Sequence, residues 1–165
     1  MLLLRQVSIG ALILLGVQLQ VMALPSEWLA ENGSSTIEPT TEVPEGFAAI
    51  ALSIADSFLQ CGVYYQYTAR GMGNNSNIAR DTVSVVENNA DILLQSADVV
   101  YRAFGLSTRE KYDAFMAQAN RIVAAYGPHS EQLSALIYQR GQVCSGVVSS
   151  YEERLGEVRF ILENY

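Results

Sequence analysis

The sequence predicts an all-α protein, specifically an antiparallel four-helix bundle with up-down-up-down order. Apolar residues recur with a helical period in four runs, and no run shows the sustained alternation of a strand. Short segments rich in glycine, asparagine or proline separate the runs, which favours antiparallel neighbours with left-handed packing. The chain's two cysteines, Cys61 and Cys144, lie in the first and last of these runs.

Residues 1–23 have the pattern of a secretory signal. Arg5 precedes an uncharged, mainly apolar run, and Val21-Met22-Ala23 suits cleavage after Ala23. An uncleaved membrane anchor is the alternative, but Gln18 and Gln20 leave the apolar run short of the roughly 20 residues that a span needs. No later segment looks apolar enough to cross a bilayer. We therefore expect export, with no stable membrane insertion after cleavage.

Residues 24–46 are predicted to be an acidic, flexible linker rich in proline, serine and threonine. The segment has five glutamates and no basic residue. It has too little apolar surface to offset the entropy lost on ordering. Trp28 is its one tryptophan, which we interpret either as an anchor for a partner or, preferably, as a side chain that is exposed or packs on its own bundle. The bundle domain then spans residues 47–165.

The first predicted helix spans residues 47–70, and the second spans 78–104. Glycines and asparagines between them, in residues 71–77, predict a break that Ser76 or Asn77 would cap. Each helix has one regular apolar stripe. The two stripes are, in order, Phe47, Ala51, Ile54, Phe58, Cys61 and Tyr65, then Val83, Val86, Ala90, Leu93, Ala97, Val100 and Phe104.

The third predicted helix follows a capping box, in which Ser107 is the cap and Glu110 reaches back. It ends at Tyr126, before a Gly-Pro stop. Ser130 then caps a fourth helix that we expect to continue almost to the last residue. The apolar stripes of these helices are Tyr112, Met116, Ala119, Val123 and Tyr126, then Cys144, Val148, Tyr151, Leu155, Val158 and Leu162. Gly141 falls on the inner stripe of the fourth helix, where it would allow a close backbone approach.

Cys61 and Cys144 both face the predicted interior. In antiparallel first and last helices their heights differ by roughly 6 Å at about 1.5 Å per residue, which makes a bond between them plausible. Two free buried thiols are the alternative, and export favours the disulfide. In the chain-entropy model such a bond contributes on the order of 4–5 kcal/mol to stability.

Composition and motifs argue against several kinds of function. The net charge is −7, and the absence of a basic stripe makes nucleic acid an improbable partner. The one histidine, His129, follows Gly-Pro in a connection and is expected to be a surface residue, although a spatially assembled triad stays open. The spacings typical of zinc, di-iron and covalent haem sites are missing. We therefore expect no enzyme activity, no catalytic residue, no metal and no cofactor.

Tyrosines cluster just after Cys61. Tyr65 lies on the inner stripe, whereas Tyr64 and Tyr67 lie three residues apart on a neighbouring flank. Such rings can pack while their hydroxyls stay wet, which is the preferred interpretation. Alternatively, Tyr64 and Tyr67 form a contact patch, to which Trp28 would belong as a further aromatic anchor.

The segment Cys61-Gly62-Val63-Tyr64-Tyr65, with Cys144 on the last helix, resembles a loose pattern in uncharacterised exported bacterial helical proteins. The resemblance implies a periplasmic or secreted helical protein and no catalytic residues. Our hypothesis is an exported bundle that binds another protein. The alternatives are a carrier of a small apolar ligand in the bundle core, which small residues such as Ala51, Ala90, Ala97 and Ala119 could accommodate, and a periplasmic inhibitor or immunity-type protein.

Overall fold

The computed structural model describes residues 43–127 and 130–165, which form a bundle of five α-helices and no strand. The predicted signal 1–23, residues 24–42 of the predicted linker, Trp28 and His129 lie outside the described residues. The all-α prediction is confirmed, but the number of helices differs from the four predicted. The helices are α1 (Glu45–Gly73), α2 (Arg80–Ala103), α3 (Thr108–Tyr126), α4 (Glu131–Ser149) and α5 (Tyr151–Asn164).

Helix α1 is the centre of the bundle, because it contacts each of the other four helices and packs most extensively on α2. Its predicted stripe is confirmed: Ala51, Ile54, Phe58 and Cys61 are buried, with Phe47 and Tyr65 packed at the edge of the core. The helix also continues three residues beyond the predicted end at Arg70. Burial of Met72 against α2 stabilises this last turn, against a cost of about 1 kcal/mol for each glycine in it.

Helices α1 and α2 approach closely at Gly62. A Cβ atom on this residue would lie 2.6 Å from Cγ of Leu94, so only glycine fits without displacing that side chain. The predicted cap of α2 is wrong. Ala79 precedes the helix with no side-chain hydrogen bond, while the backbone N–H of Asn77 donates to Oδ1 of Asn75 at 3.0 Å. The asparagine side chain therefore stabilises the turn rather than the helix end.

Helix α3 is less buried than the other four helices. Its predicted cap is confirmed, since Oγ of Ser107 accepts from the backbone N–H of Glu110 at 3.4 Å. None of its residues is fully buried, and Tyr126 at the end of the predicted stripe is exposed. The helix thus covers the bundle from outside and leaves part of its apolar surface open.

The predicted fourth helix is two helices, because the chain bends at Ser150. This residue has φ −105° and ψ 17°, outside the helical range. Its hydroxyl donates to the carbonyl of Gly146 at 2.8 Å, and the Ser149 hydroxyl donates to Ser145 at 2.8 Å. Serine hydroxyls that bond backbone carbonyls one turn back bend helices, which explains the break. The predicted cap of α4 is confirmed, as Oγ of Ser130 accepts from the N–H of Leu133 at 3.0 Å.

A disulfide joins Cys61 of α1 to Cys144 of α4, with 5.3 Å between the two Cα atoms. Both cysteines are buried in the main core, beside the rings of Phe58 and Tyr151, whose centroids are 5.4 Å apart. The predicted pairing is confirmed. A disulfide of this kind is compatible with an oxidising compartment.

By length and composition alone, α1 is apolar enough to cross a membrane, so the prediction that no segment after the leader would be is wrong. About half of its most apolar window, 44%, is buried inside the bundle. The core helix of a globular domain has the same composition, because it too is apolar over most of its circumference.

Candidate functional site

A groove with a volume of about 230 Å³ lies between α1, α3 and α4. It exists because α3 packs on the outside of α1 and leaves a space beside α4. Thirteen of the described residues line it, and most are apolar. They are Gln60, Val63, Tyr64 and Tyr67 from α1, Phe115, Gln118, Ala119, Ile122 and Val123 from α3, and Leu133, Leu136, Ile137 and Arg140 from α4.

The α1 wall includes Tyr64 and Tyr67, which lie one helical turn apart. The ring of Tyr64 packs edge-on against that of Tyr65, with 5.3 Å between their centroids. Burial raises the pKa of the Tyr64 hydroxyl, and a hydrogen bond with Thr68 partly opposes that rise. Burial, with a smaller contribution from Tyr64, raises the pKa of Tyr65 to about 12. Both hydroxyls are therefore neutral hydrogen-bonding groups at neutral pH.

Polar side chains at the ends of the groove connect its walls. The Tyr67 hydroxyl donates to Oδ1 of Asn120, which joins α1 to α3. Nη1 of Arg140 donates to Oε1 of Gln60 at 3.1 Å, which joins α4 to α1. These contacts leave the middle of the groove to apolar side chains.

The α4 wall approaches α1 at Gly141. A Cβ on this residue would lie 2.7 Å from the Tyr64 hydroxyl oxygen. The predicted close approach at Gly141 therefore occurs, but it is made by a tyrosine side chain rather than by backbone. The missing side chain leaves room for the Tyr64 hydroxyl beside α4.

The outer rim of the groove is apolar and open to solvent. Ile122, Leu136 and Ile137 are each 36–38% exposed. Arg140 is the one charged side chain among the described residues of the lining. Among the residues that the structure describes, Arg140 forms no ion pair, and its guanidinium donates instead to the amide oxygen of Gln60. The groove can thus take an apolar group and offer one positive charge at its edge.

The groove is equipped for non-covalent binding. Apolar walls with a few polar groups at the ends are typical of ligand and peptide sites. In residues 43–127 and 130–165, no group of three or more His, Cys, Asp or Glu side chains could hold a metal ion. An ionic cluster lies outside the groove lining, where Asp56 accepts from the Tyr101 hydroxyl and from Nζ of Lys111 at 3.2 Å. That cluster ties α1, α2 and α3 together.

Comparisons of the chain with protein-family models, curated proteins and solved structures find no match.

The structure brings two of the three residues of the predicted contact patch into one groove. Tyr64 and Tyr67 both line it, and Trp28 lies outside the described residues. Much of the other walls was not predicted from the sequence, notably Phe115, Leu136 and Ile137. Their signal was a second set of apolar residues beside the main stripe of the third and fourth predicted helices. An apolar band wider than one stripe indicates a second packing surface.

Proposed function

We propose that this protein is an exported, non-enzymatic binding protein, and that the groove between α1, α3 and α4 receives an apolar part of a partner protein. The supporting observation is the partly exposed apolar rim formed by Ile122, Leu136 and Ile137. Grouped apolar residues at a concave surface are typical of an interaction site, whereas single exposed apolar residues need no explanation.

The size of the groove supports an anchor of one or two large side chains. Its volume of about 230 Å³ exceeds the roughly 150 Å³ of an engineered cavity that takes benzene. Burial of one leucine or phenylalanine side chain contributes about 1.5–3 kcal/mol. Two such anchors, with the surrounding contacts, suit an interaction of moderate affinity.

Charge supports a partner segment that is acidic next to its apolar anchor. Arg140 is the charged group of the lining and faces the solvent edge. From Ala114 to Ser149 the sequence contains two arginines and one glutamate, although the whole chain carries −7. A carboxylate beside the anchor would meet Arg140, and such charge-assisted contacts favour the correct orientation of a partner.

Export is part of the proposal, with a periplasmic or secreted location. The secretory pattern of residues 1–23 supports it, as does a disulfide between two buried cysteines. The resemblance to exported bacterial helical proteins points the same way. A periplasmic inhibitor or immunity-type protein is one specific form of this function, because such proteins act by occupying a partner.

We also infer that the helices are arranged as an up-down-up-down bundle, with α4 and α5 acting together as its fourth member. Phe47, Phe58 and Cys61 on α1 contact Tyr165, Tyr151 and Cys144 respectively, an opposite order along the two segments that supports antiparallel packing. Contacts of α1 with α2 also run in opposite order, from Asp56–Tyr101 to Gly62–Leu94.

A carrier of a small apolar ligand is the second candidate. The volume of the groove favours it, because a cavity of this size can hold a compact apolar molecule. Ala119, one of the small residues that suggested a ligand, lines the groove. Ala51, Ala90 and Ala97 are fully buried away from it, so the ligand would lie beside the bundle core rather than in it.

The proposal is tested with a photo-crosslinking amino acid at Ile137 in the protein's own host. Val143 is the matched control, because it lies on the same helix, is 57% exposed and does not line the groove. We expect an adduct with one polypeptide from position 137 and none from position 143. With the purified pair, Ile137→Ser should weaken binding about tenfold, equivalent to about 1.4 kcal/mol, and Val143→Ser should leave it unchanged.

Other outcomes would decide against the proposal. Equal adducts from both positions would mean that the groove is not the contact surface. A native mass spectrum with extra mass that leaves on denaturation, and no polypeptide adduct, would support the carrier instead. Turnover of a defined substrate, lost on a single side-chain change, would exclude a non-enzymatic role.

A further inference from the structure

We propose that the groove is occupied by the chain's own N-terminal segment, with Trp28 as the anchor. This segment precedes Val43 and would lie across α3 and α4. Groove occupancy by Trp28 stands independently of the proposed function. Its consequence, that a partner must first displace Trp28, rests on that function.

The segment is long enough to reach the groove. Val43 packs against the core just before α1 begins, and Tyr64 lies about 28 Å further along that helix at about 1.5 Å per residue. About 15 residues separate Trp28 from Val43, and an extended chain of that length spans roughly 50 Å. The chain can therefore run back along α1 without being taut. A tethered anchor also has a high effective concentration at its site.

The charges of the two surfaces are complementary. Trp28 is flanked by Glu27 and Glu31, and the segment 24–46 has no basic residue. Arg140 lines the groove, and Arg121 is exposed on the neighbouring α3. Neither arginine forms an ion pair within the described part of the chain. This acidic segment with an apolar anchor thus matches an apolar groove that is edged by arginine.

The chemistry of the groove suits an indole. Apolar walls from α3 and α4 would cover its faces, and the rings of Tyr64 and Tyr67 can pack against its edge. The guanidinium of Arg140 can lie over the indole ring, because tryptophan is the strongest aromatic partner for a cation. No other tryptophan occurs in the chain.

Because Trp28 is the sole tryptophan, its fluorescence reports the occupancy directly. The exported chain is produced with its own leader and purified after processing, with the disulfide intact. Emission wavelength and acrylamide quenching are compared with those of a synthetic peptide of residues 24–46. We expect blue-shifted emission in the protein and quenching that is several-fold weaker than in the peptide. Ile137→Ser and Arg140→Gln should move both readings toward those of the peptide.

Val143→Ser is the matched control and should leave both readings unchanged, while circular dichroism verifies that every variant is folded. Peptide-like emission in the native protein would overturn the proposal. Shielded emission that ignores both groove variants would also overturn it, because Trp28 would then be docked elsewhere. Shielding that is lost on dilution would assign the groove to Trp28 of a second copy and exclude the intramolecular contact.

If Trp28 occupies the groove, Trp28→Ala should strengthen binding of the crosslinked partner, since its competitor is gone. Unchanged partner binding together with peptide-like emission would refute the occupancy and leave the proposed function intact. Loss of shielding in Ile137→Ser, with partner binding unchanged, would separate the two in the opposite sense.

Discussion

The hydroxyl of Tyr64 lies 2.7 Å from the point where a side chain on Gly141 would begin. This contact sets how closely α4 approaches α1 and so defines one wall of the groove. Because the atom in the way is the end of a side chain, a larger residue at position 141 would move Tyr64 rather than the backbone.

A double-mutant cycle tests this relationship. Gly141→Ala adds helix propensity of about 0.5–1 kcal/mol, but in the wild-type chain the new methyl group displaces the Tyr64 hydroxyl. In a Tyr64→Phe background the hydroxyl is gone, so we expect the full gain to appear. Urea unfolding followed by circular dichroism gives the free energies.

Gly146→Ala provides the control, because no atom lies within 4 Å of its added Cβ. It should raise the free energy of unfolding equally in both backgrounds. Equal gains from Gly141→Ala in the two backgrounds would show that Tyr64 and residue 141 are not coupled.

Removal of the disulfide should lower stability substantially. The bond joins residues 83 apart in sequence, and the chain-entropy model gives a contribution of about 4–5 kcal/mol. We expect the Cys61→Ala/Cys144→Ala variant to lose about 2–4 kcal/mol of unfolding free energy, since such estimates are often too high. A loss below about 0.5 kcal/mol would mean that the reduced, unfolded chain is already compact.

The buried hydrogen bond between Ser96 and Tyr151 provides a third test. The two hydroxyl oxygens are 2.9 Å apart, and Ser96 also donates to the carbonyl of Ile92 at 2.8 Å. Tyr151→Phe leaves the Ser96 hydroxyl without this partner and should cost about 1 kcal/mol. Adding Ser96→Ala should recover most of the loss, because both polar groups are then absent.

Tyr138→Phe, at an exposed position on α4, should have little effect in the same urea unfolding measurement. If the double variant were less stable than Tyr151→Phe alone, packing rather than hydrogen bonding would explain the change.

The raised tyrosine pKa values predict loss of stability in alkali. Burial raises the pKa of Tyr65 from 10 to about 12, and the pKa values of Tyr64, Tyr101 and Tyr151 are also raised, mainly by burial. The unfolded chain therefore loses these protons first. Their contribution to stability is fully present below pH 10 and is lost as the pH rises toward 12 and beyond.

Urea unfolding between pH 9 and 12 measures this effect. Tyr65→Phe should reduce the loss of stability across the interval by about 1–2 kcal/mol, less than two full pKa units would give because the hydroxyl is partly solvated. Tyr138→Phe should behave as the wild type does. A stability that is constant from pH 9 to 12 would contradict the assigned burial of these hydroxyls.

The helical stripes could be predicted because their signal is local. The spacing of Ala51, Phe58 and Cys61 alone places them on one face, and that face is the buried one. The disulfide could be predicted from the same reasoning together with the predicted export signal.

The remaining differences arise from contacts that one helix cannot specify. Met72 extends α1 because α2 supplies the surface that buries it. The bend at Ser150 depends on whether its hydroxyl or a backbone N–H bonds the carbonyl of Gly146. The bent and the straight helix then differ little in free energy. The groove needs three helices at once, so Leu136 and Ile137 resemble ordinary surface residues when α4 is considered alone.

The stacking of Phe47 on Tyr165, with ring centroids 4.4 Å apart, brings the start of α1 beside the last residue of the sequence. A short peptide could therefore join Tyr165 to Val43, and the chain could be reopened between α1 and α2, near Asn77. In this circular permutant α1 would follow α5 directly, so their contacts would become local, but the more extensive contacts of α1 with α2 would become the most distant in sequence. Non-local contacts slow folding, and such a permutant should therefore fold more slowly while keeping the same core.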